Sequence, residues 1–196
     1  MIRVKLLLVA LVAMAGLACT PNSGADIPGA VQAAEESEAP RKIEVVYGDV
    51  DDVQEFIAKQ KGKVVVLDTW STWCLPCLRE FPNLVALQEQ FPEEVVCISL
   101  NLNYDGIEDE PPTSFESDVL ARLQKYDARM TNYICTQDSE AVYKTLDFDS
   151  LPAVFVYDKQ GNLAKKFDNS RLESPDDEFT YEKDIIPQVR SLVQAK

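Results

Sequence analysis

From residue 43 onward, short apolar runs alternate with stretches whose apolar residues recur at helical spacing. Continuous runs rich in β-branched residues are typical of buried strands and lie at residues 64–67, 95–100 and 153–157. Amphipathic spacing predicts helices at residues 51–60, 77–90, 119–126, 139–146 and 184–195. Further candidate strands lie at residues 43–47 and 132–136, and a turn at 158–161 predicts a hairpin into a strand at 163–167.

This alternation predicts the fold class α/β, with helices packed on both faces of one central β-sheet. The hairpin around Gly161 adds an antiparallel strand pair, so the sheet is expected to be mixed. All of these elements fall within residues 43–196, which we interpret as one folded domain.

Residues 1–18 carry the pattern of a secretory signal peptide. Arg3 and Lys5 precede an uncharged apolar run at residues 6–18, which is shorter than the ~20 residues that cross a bilayer as a helix. The run ends in Gly16-Leu17-Ala18-Cys19, which resembles the lipobox of bacterial lipoproteins, although its leucine lies one position closer to the cysteine than usual. The resemblance implies that Cys19 is lipidated, while ordinary cleavage near Ala18 and an uncleaved anchor stay open.

Residues 19–42 join this cysteine to the folded domain and are rich in Ala, Pro, Gly, Ser and Glu. Such a segment buries too little apolar surface to order itself, so it is interpreted as a flexible linker. We therefore expect an exported protein, periplasmic or in the cell envelope, that is tethered to the membrane through a lipid anchor.

The composition narrows the possible partners. The chain has 19 Lys and Arg against 33 Asp and Glu, which gives a net charge of −14 and disfavours binding to nucleic acid. It has no histidine, which excludes Ser-His-Asp and Cys-His catalysis and removes the commonest ligand of transition metals. The five cysteines therefore carry the candidate chemistry.

Two cysteines separated by two residues, Cys74-Leu75-Pro76-Cys77, lie between a predicted buried strand and a predicted helix. Unpaired amides and the dipole at a helix N-terminus favour an anion, and in such motifs the thiol pKa falls to about 3.5–7.5. A thiolate attacks a disulfide, and a neighbouring thiol resolves the mixed disulfide. We therefore predict Cys74 as the nucleophile and Cys77 as the resolving thiol, with this redox-active disulfide as the only cofactor and no metal.

Two other interpretations of the cysteine pair fit the sequence less well. A zinc site normally needs four ligands, and Cys97 and Cys135 lack the paired spacing that would complete one. A purely structural disulfide explains neither the flanking tryptophan nor the strand-to-helix setting. Cys97 lies within a β run and is predicted to be a buried, inert thiol. Cys135 is interpreted similarly, and a Cys97–Cys135 disulfide stays open.

Around the cysteine pair, the chain resembles the thioredoxin family, and within it the exported, membrane-tethered TlpA/ResA-like branch. The resemblance rests on positions in register with the family's motifs: Asp68, Trp70, Trp73, the Cys-x-x-Glu-x-Pro pattern at 77–82, Leu151-Pro152 and Gly161. It implies a thioredoxin-like fold with a helix and strand inserted before the cis-proline strand. It also implies a thiol–disulfide oxidoreductase of the protein-disulfide reductase type, active in cell redox homeostasis.

The resemblance also implies roles for particular residues. Asp68 is expected to be a buried acid that exchanges a proton with Cys77, and Trp70 to lie mostly in the core. The expected substrate-binding residues are those around the cysteines and on the cis-proline loop: Trp73, Leu75, Pro76, Leu151 and Pro152. The loop at residues 103–114 is expected to border the site.

The expected partners are protein thiols and disulfides, such as apocytochrome or metal-site cysteines, and a membrane electron donor. Two other functions stay open. One is a thioredoxin-fold module that binds copper or polypeptides, since two thiolates suit Cu(I). The other is a thiol peroxidase, which needs an arginine near the nucleophile, and Arg79 is the only one close in sequence.

Overall fold

A computed structural model describes residues 42–169, 174 and 177–195. The predicted signal peptide, the predicted lipidation site Cys19 and all but the last residue of the predicted linker lie outside the described residues. Within those residues, no helix has the length and apolar character needed to cross a membrane.

The described part of the chain contains six strands and five α-helices. The strands are β1 (Val46–Gly48), β2 (Val64–Trp70), β3 (Val95–Asn101), β4 (Thr131–Cys135), β5 (Ala153–Tyr157) and β6 (Leu163–Asp168). The helices are α1 (Val50–Ala58), α2 (Leu75–Gln90), α3 (Glu116–Lys125), α4 (Ser139–Leu146) and α5 (Ile186–Gln194). A short 3₁₀ turn at Pro112–Phe115 precedes α3, and a π-helical turn at Tyr181–Ile185 precedes α5.

The strands form one mixed sheet in the order β1-β4-β3-β2-β5-β6. The first four strands in this order are parallel, whereas β5 runs antiparallel to β2 and β6 antiparallel to β5. The strand β4 and helix α4 stand between α3 and β5, which is the insertion expected before the cis-proline strand. The predicted α/β class with a mixed sheet is confirmed.

The core lies on both faces of the sheet. Along β2, alternate side chains enter opposite cores, so that Val66 and Trp70 pack with α2, α3 and α5 on one face. Val65 and Leu67 pack with α1 and α4 on the other face. Every residue of β2 is buried, because helices cover it on both sides and strands flank it on both edges.

The structure corrects several predicted boundaries. The strand predicted at 64–67 continues to Trp70, because the polar side chains of Asp68 and Thr69 find hydrogen-bond partners inside the core. The helix predicted from residue 77 begins at Leu75. The C-terminal helix predicted from 184 is a π-helical turn followed by α5, which begins next to Pro187 because a proline lacks the amide that an interior helical position needs.

Candidate redox site

Cys74 and Cys77 are joined by a disulfide at the N-terminus of α2, with their Cα atoms 5.3 Å apart. Cys74 is the N-cap residue, and its Sγ accepts a hydrogen bond from the Cys77 amide at 3.2 Å. Pro76 lies in the first turn, where its missing amide costs nothing. Cys74 is partly exposed, whereas Cys77 is 3% exposed. Cys74 is therefore accessible from solvent, whereas Cys77 is not.

Asn103, a buried residue of the loop that follows β3, anchors the segment that leads into the disulfide. Asn103 Oδ1 accepts hydrogen bonds from the Thr72 amide at 2.9 Å and from Asn101 Nδ2 at 3.0 Å. Its own Nδ2 donates to Thr72 Oγ1 at 2.9 Å. The sequence analysis missed this anchor. The one available signal was the pair of asparagines at the end of a buried strand.

Asn103→Ala is expected to lower the free energy of unfolding by about 1–3 kcal/mol, because it leaves the partly buried Thr72 amide and the buried Asn101 side-chain amide without this acceptor. Guanidinium denaturation measures this loss. The matched control is Asn162→Ala in the exposed turn after β5, which should stay within about 0.5 kcal/mol of the parent. Equal small effects at both positions would contradict the anchoring role.

Two exposed apolar side chains flank Cys74 in the chain. Trp73 is 61% exposed and Leu75 is 76% exposed, which is unusual for side chains of their size. The Trp73 ring meets Phe115 edge to face, with centroids 5.9 Å apart. Asn103, at the start of the loop predicted at 103–114, contacts Thr72. Phe115, the residue after that loop, contacts Trp73, so both ends of the segment between β3 and α3 adjoin the site.

The proline loop lies at the same end of the sheet as the disulfide. The Leu151–Pro152 peptide bond is cis, as expected, and leads directly into β5. Thr69, near the end of β2, donates through Oγ1 to the Ala153 carbonyl at 2.8 Å and accepts from the Ala153 amide at 3.3 Å. Leu151 is partly exposed and Pro152 is buried.

Asp68 is a buried acid beneath α2. Asp68 lies two residues from both Val66 and Trp70 along β2, so all three side chains are on the same face of the sheet. Val66 and Trp70 pack in the same core as Cys77, and the Asp68 side chain therefore enters that core. Its Oδ2 accepts a hydrogen bond from the Tyr181 hydroxyl at 2.5 Å. Burial raises the pKa of Asp68 from 3.8 to about 7, the Tyr181 hydrogen bond opposes this rise, and the charge of Glu80 adds to it.

Tyr181 and Glu80 connect the C-terminal segment to α2. The Tyr181 amide donates to Glu80 Oε2 at 3.2 Å, and Asn83 donates to the same oxygen at 3.1 Å. Sequence reasoning noted Glu80 only as part of a motif and missed Tyr181 completely. No local signal marked this tyrosine, because it lies outside the predicted elements and 113 residues from Asp68.

The other two described cysteines form no disulfide. Cys97 and Cys135 are fully buried and carry free thiols. Burial raises the pKa of Cys97 far above its ordinary value and that of Cys135 to about 11. They pack in cores on opposite faces of the sheet, so the Cys97–Cys135 disulfide left open by the sequence is not formed. Among the described residues, no cluster of three or more potential ligands could hold a metal ion.

Comparison with known proteins places this arrangement in a family. The sequence profile of the AhpC/TSA family matches residues 32–184, most of the chain. The chain belongs to the AhpC/TSA family. The resemblance to thioredoxin-like proteins is confirmed by relatives that carry such names and by the structures that share the fold.

Among the relatives of this AhpC/TSA protein is the thioredoxin-like protein YneN of Bacillus subtilis, 25% identical over 119 residues, or 61% of this chain and 62% of YneN. The thiol-disulfide oxidoreductase ResA of B. subtilis is 26% identical over 143 residues, or 72% of this chain and 71% of ResA. The chain thus spans less than two thirds of YneN.

A solved structure supports the fold. A secreted disulfide oxidoreductase of Mycobacterium tuberculosis, homologous to DsbE of E. coli, superposes with a TM-score of 0.50 and 19% identity, covering 69% of this chain and 86% of that one. The fold of this AhpC/TSA protein is therefore thioredoxin-like.

Proposed function

We propose that this protein is a thiol–disulfide oxidoreductase that reduces protein disulfides outside the cytoplasm. One observation carries the proposal: the Cys74–Cys77 disulfide caps the N-terminus of α2 with one reachable sulfur and one buried sulfur. That asymmetry is what a nucleophile and a resolving thiol require. The relatives named ResA, which are thiol-disulfide oxidoreductases, support the same activity.

The reaction starts from the dithiol form. The Cys74 thiolate attacks one sulfur of a client disulfide, so that the client S–S bond breaks, a Cys74–client bond forms and the other client sulfur leaves as a thiolate. The Cys77 thiolate then attacks Cys74 Sγ and releases the second client thiolate. Two electrons have passed to the client, and the protein is left with the Cys74–Cys77 disulfide seen in the structure.

Asp68 is proposed to accept the proton of the Cys77 thiol. A buried thiol must lose its proton before it can attack, and a carboxylate whose pKa is about 7 can accept that proton near neutral pH. The acid lies in the core that receives Cys77, away from the exposed sulfur, so it can act in the resolving step without blocking the client.

Client proteins are proposed to bind across the exposed apolar surface formed by Trp73 and Leu75. Trp73 and Leu75 offer exposed apolar surface beside the disulfide, and the partly exposed Leu151 offers backbone groups to an extended segment. Pro76, in the first turn of α2, and Pro152, after the cis peptide bond, are proposed to complete this surface. Unfolded or loosely folded polypeptides with accessible cysteines, such as apocytochromes or metal-site proteins, suit such a surface.

The proposed setting is the cell envelope. The signal-like segment 1–18 and Cys19 support export with lipid anchoring, and the protein is proposed to receive electrons from a membrane donor. No bound cofactor is proposed beyond the disulfide itself.

The geometry favours disulfide chemistry over a thiol peroxidase. A peroxidase needs a cation directed at the nucleophile, but the Arg79 side chain is 63% exposed and pairs with Glu178 at 3.3 Å and Glu80 at 4.0 Å. Copper binding by the two thiolates stays the alternative function, since two soft sulfurs suit Cu(I), and Cu(I) titration of the reduced protein set against insulin reduction separates the two functions.

The test measures thiol access and electron transfer on the purified protein. Dithiothreitol is expected to open only the Cys74–Cys77 pair to alkylation, and the reduced protein should then reduce insulin. The midpoint potential of the pair is expected at about −270 mV, whereas a potential of about −120 mV would indicate an oxidant. The proposal is wrong if both sulfurs stay closed to alkylation after dithiothreitol, or if hydrogen peroxide oxidises the pair faster than insulin does.

A further inference from the structure

Tyr181 is held at both ends between the disulfide helix and the buried acid. Its amide donates to Glu80 Oε2 at 3.2 Å, and its hydroxyl donates to Asp68 Oδ2 at 2.5 Å. Glu80 follows Cys77 by one helical turn on α2. The tyrosine therefore spans from the helix that carries the resolving sulfur to the strand that carries the acid.

The position of this side chain is tightly determined. Tyr181 is completely buried and packs in the same core as Cys77 and Phe81. It opens the π-helical turn Tyr181–Ile185, whose N-cap, Thr180, accepts through Oγ1 from the Lys183 amide at 3.1 Å. A single-turn π-helix before α5 is an uncommon local structure that is frequent at functional sites. In this protein the turn places the Tyr181 hydroxyl within hydrogen-bond distance of Asp68.

We propose that Tyr181 is a positioning residue that fixes the Asp68 carboxyl beneath the helix of Cys77 and thereby sets the pH range in which the resolving step runs. The inference rests on the proposed function, because the resolving step belongs to that reaction. It adds a role for the C-terminal segment, which otherwise lies outside the redox motif.

The groups facing Asp68 explain how the hydroxyl acts. Glu80 from α2 and Cys97 from β3 both interact with Asp68, and neither stabilises its charge: Glu80 is itself acidic, and the pKa of Cys97 lies far above its ordinary value, so that thiol is neutral. Within the described residues, Tyr181 is the hydrogen-bond donor to this carboxyl. A donor to the charged form favours the carboxylate, so removing the hydroxyl leaves Asp68 protonated to higher pH.

Tyr181→Phe removes only the hydroxyl and keeps both the ring and the backbone contact with Glu80. The matched control is Tyr157→Phe, which removes the hydroxyl of another buried tyrosine, one that accepts from neutral Gln54 at 3.1 Å in the core on the other face of the sheet. Thermal unfolding of both variants reports any general loss of packing.

Two readouts separate positioning from structure. The first is the pH titration of the Asp68 carboxyl carbon by ¹³C NMR in the oxidised protein, which does not depend on turnover. The second is the pH profile of the resolving step, measured as release of thiol from a preformed Cys74–client mixed disulfide. Tyr181→Phe is expected to move both midpoints to higher pH by about one unit, roughly a tenfold loss of rate on the acid side, with the rate recovering at higher pH.

An unchanged carboxyl titration in Tyr181→Phe overturns the proposal, as does a rate that falls equally at every pH or falls equally in Tyr157→Phe. A shifted titration with an unshifted rate profile also overturns it, since Asp68 would then be tuned without effect on resolution. If the parent protein does not resolve mixed disulfides at all, the proposed function fails, and the positioning role fails with it. The carboxyl titration identifies that case, because Tyr181→Phe would still shift it; an unshifted titration would instead mean that the Tyr181–Asp68 contact alone has failed.

Discussion

Cys77→Ser is expected to accumulate a covalent mixed disulfide between Cys74 and its client, whereas Cys74→Ser is expected to accumulate none and to lose turnover. The exposed sulfur at the helix N-terminus can still attack a client when the buried thiol is absent. The adduct then has no internal thiol to break it. Well-oriented neighbouring groups reach effective molarities of roughly 10⁵–10⁸ M, so losing Cys77 slows release by several orders of magnitude.

The measurement is non-reducing electrophoresis and intact mass after each oxidised client has been mixed with each variant. The control is Cys135→Ala, because this thiol is buried in the core on the face of the sheet opposite to Cys77. It should trap nothing and keep the parent's turnover. Trapping by Cys74→Ser in place of Cys77→Ser would reverse the assigned roles, and trapping by neither variant would contradict the exchange mechanism.

Hydrophobic periodicity predicted much of the scaffold because it reports burial directly. Runs such as 95–100 and 153–157 are apolar because helices cover both faces of the sheet, and the structure places β3 and β5 there. The cysteine pair was also readable, since its spacing and its place between a strand and a helix are local features. The structure adds that Cys74 is partly exposed and Cys77 is buried.

The polar interior could not be predicted in this way. Asp68 follows an apolar run, so the pattern predicts that the strand ends before it. In the structure, β2 continues through Asp68, because a tyrosine 113 residues away donates a hydrogen bond to the buried carboxyl. Asn103 similarly supports Thr72 across 31 residues. Such partners are chosen by the packed fold, and a single sequence contains no period or spacing that reports them. The two sulfurs of the site are therefore readable from a short stretch of sequence, whereas the groups that orient and tune them come from distant parts of the chain.

Asp68→Asn is expected to stabilise the folded protein at neutral and alkaline pH. The pKa of Asp68 is about 7 in the folded protein against an ordinary value of 3.8, so between these values the folded state keeps a proton that the unfolded state has lost. Stability then falls as pH rises through this window. The gap between the two pKa values corresponds to about 4 kcal/mol, which the neutral asparagine does not lose.

The measurement is guanidinium denaturation of Asp68→Asn and the parent from about pH 3 to about pH 8, where the curves should meet at the acid end and separate as pH rises. Asp158→Asn is a control of opposite sign. Hydrogen bonds, first from the Asn162 amide, lower the pKa of Asp158, so its contribution is present at neutral pH and is lost on acidification. That variant should therefore be less stable than the parent at neutral pH.

Parallel curves for Asp68→Asn and the parent would mean that Asp68 is not a buried acid with a raised pKa. A stability gain together with slower resolution near neutral pH would indicate that the fold tolerates a costly carboxylate in order to move the proton of Cys77.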